Sequence, residues 1–178
     1  ELFKPDYLII GIEVNLLIRN SPVLWEPYIE LHNYVNTQIK KKYPDLPTGV
    51  SVFCVPYFPD WSPEDDLEEQ LIGLKQLETS SDFIAFSVHP FMSALTAEKF
   101  PDDYLKKLFE ITTKPVAVSE SSYPAQYWQT ITEPIIDFNG TPEKQEKFLS
   151  SLLNESNIYE SLFVIWFSIH DYDALWEG

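Results

Sequence analysis

Residues 114–124 read KPVAVSESSYP, and this stretch decides the fold class that the sequence predicts. A polar connection leads into the short apolar run 116–118, which is rich in β-branched residues and bounded by turn formers. Such a run is typical of a strand in a parallel sheet that helices cover. Glu120 follows the strand directly, and the Ser-Ser-Tyr-Pro sequence after it cannot continue the strand. Because groups at the carboxyl ends of parallel strands face the ligand crevice, Glu120 is predicted to lie in a functional site.

A second glutamate has the same sequence context. The apolar run 7–12 reads YLIIGI and ends at Glu13. Two strands that each deliver a glutamate at the carboxyl end predict one shared cleft. Paired carboxylates suit acid–base and nucleophilic chemistry, because neighbouring charge and burial drive their pKa values apart. Each glutamate could instead cap its strand or pair with a lysine, and the residues alone leave both interpretations open.

Composition limits the classes of function. The 178 residues have the size of one domain, 1–178, that can bury a core. The net charge of −16 argues against nucleic acid or an anionic membrane as a partner and suits neutral ligands. Cys54 is the only cysteine, so neither an intrachain disulfide nor a thiolate cluster for zinc is expected. No apolar run approaches the ~18 residues of a membrane span.

Strand and helix patterns alternate along the chain. Strands are predicted at 7–12, 49–55, 82–88, 116–119 and 161–169, and helices at 26–42, 62–78, 102–111 and 142–154. Ser62 is predicted to cap the second helix. Residues 124–139 are predicted to be a long aromatic connection. Strands that alternate with helices at this spacing predict a parallel α/β fold, either an open sheet or part of a barrel. Glycine-rich nucleotide-binding loops are absent from the sequence, which excludes the commonest functions of open sheets.

Four segments together resemble the clan A retaining glycoside hydrolases, and most closely the endo-β-1,4-galactanase family. PDYLIIGIEVN (5–15) resembles the fourth barrel strand of that family, and SDFIAFSVHPF (81–91) resembles the sixth. KPVAVSESSYP is similar to the seventh strand, and LFVIWFSIHDYD (162–173) is similar to the eighth. The resemblance implies a (β/α)8 TIM barrel. This chain would hold its carboxyl-terminal part, an incomplete barrel of about five parallel strands with flanking helices.

The resemblance also implies an activity and a set of residues. The expected reaction is hydrolysis of a β-linked oligo- or polysaccharide by a retaining double displacement, with no cofactor and no metal ion. Glu13 matches the acid/base and Glu120 the nucleophile, and the carboxyl groups of such a pair lie roughly 5–5.5 Å apart. His89 matches a residue that lines the active site, and Trp166 matches a tryptophan that stacks on the sugar.

Other residues are predicted to contact substrate. Tyr57, Trp61 and Trp128 follow predicted strands and could stack on sugar faces or merely pack the loops. The asparagine that precedes the acid/base in the family is Ile12 here, which cannot bond the 2-hydroxyl of the sugar. Asn15 would substitute for it only if the backbone bends. An ordinary strand would turn Glu13 inward and Ile12 toward a helix.

The family's first three strands are not in this sequence, so an open half barrel would expose two strand edges. We expect a homodimer or an N-terminal half to close the barrel. The compartment is left open, with an extracytoplasmic location, secreted or periplasmic, favoured because polysaccharides are usually degraded there. The sugar, the linkage and endo or exo action are also left open.

Two further functions remain as alternatives. One is a catalytically impaired barrel that binds carbohydrate, which Ile12 favours. The other is a metal-dependent barrel isomerase or phosphoesterase that uses Glu13, Glu120, His89 and His170 as ligands.

Overall fold

The computed structural model describes residues 4–92, 102–129 and 137–167. Four parallel strands form one sheet in sequence order: β1 (Leu8–Ile9), β2 (Thr48–Phe53), β3 (Phe83–Val88) and β4 (Val116–Ser121). The helices are α1 (Leu16–Asn20), α2 (Trp25–Lys42), α3 (Leu67–Glu78), α4 (Tyr104–Phe109) and α5 (Pro142–Ile158). A separate antiparallel hairpin joins β5 (Tyr127–Gln129) to β6 (Asp137–Asn139). Within the described ranges, no helix is both long and apolar enough to cross a membrane.

The sheet curls like half of a barrel. Ser51 of β2 and Ser119 of β4 are separated by the whole of β3, yet their hydroxyl oxygens lie 2.7 Å apart. Two strands on either side of a third can come this close only if the sheet bends sharply toward the face that carries both side chains. Ala85 lies between them on β3, and its small side chain leaves room for this bend. The fold is therefore α/β with a curled parallel sheet, consistent with part of a TIM barrel.

Aromatic rings fill the concave face near the start of the strands. The ring of Phe83 lies over Gly49, where an added Cβ would come within 2.5 Å of the ring. Tyr7 packs against Phe83 and Phe163 at centroid distances of 5.7 and 5.4 Å. A side chain at Gly49 would displace this cluster, which explains a glycine inside a strand.

The convex face carries the larger core. Strand residues that point to this face alternate with those on the concave face and are fully buried. They pack against one apolar stripe on each of the covering helices; the main contributors are Val50, Val52, Ile84, Phe86, Val118, Leu74, Leu77, Leu108, Phe109 and Leu152. Burial of each large apolar side chain stabilises the fold by about 1.5–3 kcal/mol, so this layer holds the sheet in place.

The fifth predicted strand is not confirmed. Residues 162–167 run beside β4, and the amide of Leu162 donates to Val116 while that of Ile165 donates to Val118. Only one parallel bridge forms, between Val118 and Val164. The β4 backbone contains an extra residue just beyond Val118, where its pairing with β3 shifts register, and the amide of Phe167 donates to Ser121 beyond this point. The remainder of the predicted strand, residues 168 and 169, lies outside the described residues, as does His170.

Two predicted helix starts had different outcomes. The prediction that Ser62 caps a helix is wrong: α3 is capped by Asp66, whose carboxylate accepts from the amides of Glu68 and Glu69 at 2.9 and 3.2 Å. Ser62 instead donates to Asp65 in the preceding turn. The α5 start is confirmed, because Thr141 accepts from the amide of Lys144 at 3.2 Å.

Other boundaries also changed. Helix α5 runs past the predicted end at 154 and stops at Ile158, where Glu160 adopts a φ of 50° and the amide of Ser161 bonds the carbonyl of Ser156. The hairpin of β5 and β6 lies in the segment predicted to be irregular. Helix α1 was not predicted either, because its five residues are too few for a helical period to show.

Candidate active site

Three titratable side chains meet on the concave face at the carboxyl ends of the strands. One carboxylate oxygen of Glu13, one of Glu120 and a ring nitrogen of His89 all lie within 4.8 Å of one another. His89 is buried, whereas both glutamates are half-buried. The structure therefore brings together Glu13 and Glu120, which were predicted from two strand ends about a hundred residues apart, and His89, which the resemblance placed at the active site.

Glu13 is presented by a bulge in the backbone. The amide of Ser51 donates to the carbonyl of Gly11 at 2.8 Å, and the carbonyl of Ser51 accepts from the amide of Val14 at 3.1 Å. Ile12 and Glu13 thus lie opposite a single residue of β2, where a regular parallel pair would have one residue. Glu13 has a φ of 51°, which a residue with a side chain adopts at a cost of about 1–3 kcal/mol. Unlike the positive φ of Glu160, this one is not explained by the end of a helix.

The bulge corrects the expectation for Ile12. An ordinary strand would have turned Ile12 toward a helix, but the side chain is 58% exposed. The Glu13 side chain reaches across β2 to β3, where the hydroxyl of Ser87 donates to its Oε1 at 2.6 Å. This bond fixes one carboxylate oxygen and leaves the other for a ligand.

A second bulge presents Glu120. Phe86 pairs with Val118, but the next residue, Ser87, pairs with Glu120, so Ser119 is an extra residue in β4. Simple alternation would put Ser119 and Glu120 on opposite faces. With the bulge, Ser119 reaches Ser51 on the concave face, and Glu120 shares that face because it is in register with Ser87.

His89 is held between a hydroxyl and a carboxylate. Its Nδ1 lies 2.7 Å from the Ser122 hydroxyl, and its Nε2 lies 3.6 Å from Oε2 of Glu120, which is longer than a hydrogen bond. Burial lowers the pKa of His89 below its usual value, although the charge of Glu13 opposes this shift. The imidazole is therefore neutral at pH 7.

Two predicted sugar platforms belong to the core instead. Trp61 is only 2% exposed and stacks on Phe58 with ring centroids 4.2 Å apart. Tyr57 is buried, and this burial raises the pKa of its hydroxyl. Neither ring has a face that a sugar could reach. Their loop folds back over α3 and α4 rather than opening into the cleft.

Asn15 is also part of the core, and its side-chain amide is bonded within the protein rather than available to a ligand. Its side chain is 1% exposed and bonds both backbone groups of Phe53, accepting at 2.7 Å and donating at 3.0 Å. A further bond of 3.1 Å runs to Gln70 of α3. Asn15 therefore ties the end of β2 to α3, and its amide cannot replace the sugar contact that Ile12 lacks.

Sequence reasoning named Trp166, but its neighbour Phe167 lies at the site. Trp166 packs against Phe148 of α5 on the convex side, with centroids 6.0 Å apart. Phe167 lies edge-on to His89 at 6.2 Å and is 56% exposed. The period of two along a strand could have distinguished Trp166 from Phe167. Phe163 points to the concave face, and Phe167, four residues later, is expected to share that face.

Trp128 lies at the edge of this region. It stacks flat on Phe138 within the β5–β6 hairpin, with centroids 3.8 Å apart. Phe138 contacts Phe91, and Phe91 contacts His89, at 5.8 and 6.2 Å. The hairpin is therefore linked to the glutamate pair by a row of aromatic rings, and Trp128 lies at its far end.

Comparison with known proteins supports the fold class. No protein-family model matches the chain, and no curated protein matches it. The fold is similar to part of a solved β-glucuronidase from Bacteroides uniformis, with a TM-score of 0.56 and 15% sequence identity. The match covers 89% of this chain and 18% of that chain, so this chain spans less than a fifth of the enzyme's length. At this identity the likeness shows the fold alone, and the resemblance to galactanases rests on the sequence motifs.

Proposed function

We propose that residues 1–178 form the carboxyl-terminal part of a retaining glycosidase barrel that cleaves β-linked oligo- or polysaccharide. The observation that carries this proposal is the approach of the Glu13 and Glu120 carboxylate oxygens to within 4.8 Å on one concave face. Carboxyl groups of retaining enzymes lie about 5–5.5 Å apart, whereas those of inverting enzymes lie about 6.5–9.5 Å apart. A short separation favours direct attack by one carboxylate, and with it a covalent intermediate.

The proposed reaction has two displacements. Glu120 attacks the anomeric carbon and forms a glycosyl ester, while Glu13 gives its proton to the leaving oxygen. Glu13 then takes a proton from water, which attacks the ester and releases Glu120. These roles follow from the sequence motifs around each glutamate. Ser87, which donates to Oε1 of Glu13, would leave Oε2 to carry the transferred proton.

His89 and Phe167 are proposed to support this chemistry. If Ser122 donates to Nδ1 of the neutral ring, Nε2 carries its proton toward Glu120 and stabilises the carboxylate before it attacks. Phe167 offers an exposed ring beside His89, a position suited to stacking on a sugar. We include a homodimer or an N-terminal half as the partner that closes the open sheet.

We expect aryl β-glycosides to be hydrolysed with retention of configuration. The double displacement inverts the anomeric carbon twice, so the β-anomer of the sugar should form first. Proton NMR during the first minutes of hydrolysis, before mutarotation, distinguishes the anomers. Galactosides, mannosides and glucosides should be compared. Formation of the α-anomer first, or no hydrolysis of any β-glycoside, would contradict the proposal.

A second candidate function is carbohydrate binding without turnover. Ile12 is exposed beside Glu13, where the family places an asparagine whose bond to the 2-hydroxyl strengthens in the transition state. That bond is worth several kcal/mol, so its loss could leave binding intact and hydrolysis weak. Binding of β-linked oligosaccharides with no detectable release of sugar would favour this candidate.

Replacement of Phe167 and of Trp166 by alanine should have opposite effects. Phe167→Ala should weaken oligosaccharide affinity about tenfold, because stacking on an exposed ring is lost while the core is untouched. Trp166→Ala should leave affinity within about twofold of the parent but lower the free energy of unfolding by about 2–3 kcal/mol, because Trp166 packs against Phe148. Calorimetric titration measures the affinity of both variants, and urea unfolding measures their stability. An equal loss of affinity in the two variants would contradict the assignment of Phe167 to the concave face and of Trp166 to the convex face.

A further inference from the structure

The three side chains of the candidate active site also have the donor types and spacing of a metal site. Two carboxylate oxygens and one imidazole nitrogen lie within 4.8 Å of one another. Zinc binds such atoms at about 2.0–2.2 Å, so in a tetrahedral site its ligand atoms lie roughly 3.5 Å apart. A rotation that moves one carboxylate inward by ~1 Å would complete the set. Glu120 has a side chain that is 28% exposed, which allows this rotation.

Charge at the site favours a cation. In the described part of the chain, neither Glu13 nor Glu120 forms an ion pair with a lysine or arginine, and the ring of His89 lies 3.6 Å from Glu120. Arg19, the single arginine of the sequence, is bound to Glu64 and Asp65 at 3.0 Å each. Two half-buried carboxylates at this separation repel each other unless a proton or a bound cation offsets one charge.

The surrounding hydroxyls orient the donors as the outer groups of a metal site do. Ser87 donates to Oε1 of Glu13 at 2.6 Å, which holds the orientation of this carboxylate. Metal binding requires the other tautomer of His89: Ser122, 2.7 Å from Nδ1, accepts the Nδ1 proton, and the Nε2 lone pair is then available to the ion. Metal-bound histidines almost always bond through the second nitrogen in this way. His89 is itself buried, and a histidine ring nitrogen is a common metal ligand.

We propose that Glu13, His89 and Glu120 bind one divalent transition-metal ion, for which Zn²⁺ is the probe of choice. One imidazole nitrogen and two carboxylate oxygens suit zinc better than magnesium or calcium, which prefer oxygen alone. The inference concerns the same side chains as the proposed catalysis, and only its inhibitory consequence rests on that proposal. A bound ion occupies the nucleophile and the acid/base together, so Zn²⁺ inhibits hydrolysis rather than supporting it.

Zinc binding to the 178-residue protein tests the site without any assay of hydrolysis. Isothermal titration at pH 7 in a non-chelating buffer should give one saturable site. Glu13→Gln and Glu120→Gln should each weaken the affinity at least tenfold. Both substitutions keep the side-chain shape and remove a repulsive charge, so the fold should persist, and circular dichroism checks this. Glu30→Gln, on the exposed side of α2, removes the same charge elsewhere and should leave the affinity unchanged.

The outcomes separate the two proposals. Zinc binding that depends on Glu13 and Glu120 supports the metal site, whether or not the protein hydrolyses a glycoside. A lack of hydrolysis would overturn the proposed function alone. The inference is overturned by a dissociation constant for Zn²⁺ above about 1 mM, or by equal binding in both glutamine variants and the parent. Where hydrolysis is measurable, Zn²⁺ should lower the rate and EDTA should restore it. A rate that rises with Zn²⁺ would overturn the inhibitory role.

Discussion

Replacement of Glu120 by alanine should lower the hydrolysis of aryl β-glycosides by about a thousandfold or more, because in the proposed mechanism this side chain forms the covalent intermediate. Glu120 lies on the concave face, where a bulge in β4 turns it toward Glu13 and His89. Affinity for an unreactive oligosaccharide should change much less, since the nucleophile acts mainly in the transition state. Initial rates and calorimetric titration of the same preparation measure both quantities.

Azide gives this experiment a chemical control. In Glu120→Ala, azide can take the place of the missing carboxylate and attack the sugar directly, which yields the α-glycosyl azide. In Glu13→Ala, Glu120 still forms the ester, and azide then attacks from the opposite side to give the β-glycosyl azide. NMR of the two products therefore assigns the roles independently of rate. Exchange of the two product configurations would reverse the assignment, and an unchanged rate in Glu120→Ala would refute the mechanism.

Trp61→Ala should lower the free energy of unfolding by about 3–5 kcal/mol, because it removes a large buried ring and leaves a cavity. Trp61 is fully enclosed, stacks on Phe58 and contacts Tyr104 of α4 with centroids 5.4 Å apart. The loop that carries it covers the convex core, so the cavity would open between the loop and the helices. Urea unfolding followed by circular dichroism measures the loss.

Tyr34→Ala is the matched control for Trp61. Tyr34 is an aromatic residue on the exposed side of α2, so its removal should change the free energy of unfolding by no more than about 0.5 kcal/mol. Trp61→Phe should lower the free energy of unfolding by an amount between those for Trp61→Ala and Tyr34→Ala, because phenylalanine keeps part of the stacking on Phe58. If Trp61 were a sugar platform, its alanine variant would keep the parent stability and lose oligosaccharide affinity instead.

The sequence by itself determined the order of strands and helices in most of this chain. The runs at β2, β3 and β4 are apolar and β-branched because both faces of the sheet are covered, and this composition predicts buried parallel strands. Helix α2 was predicted to within one residue, because eighteen residues display a helical period and a basic last turn. Strand ends also pointed to Glu13 and Glu120 as neighbours, and the resemblance added His89, while the catalytic roles of all three remain predictions.

The tertiary structure alone decided how those residues face the cleft. Each glutamate follows an extra backbone residue, and a period of two cannot predict a bulge, because the bulge depends on the hydrogen bonds of the neighbouring strand. The burial of aromatic residues in loops is also not predictable from a local pattern, because the sequence around such a residue is similar whether its ring faces water or packs against a helix. Trp61 and Asn15 were predicted to contact a ligand, but the packing of α3 and α4 against their loops makes them part of the core. Contacts between residues far apart in the sequence determine whether such side chains are buried, and a local sequence pattern contains no information on those contacts.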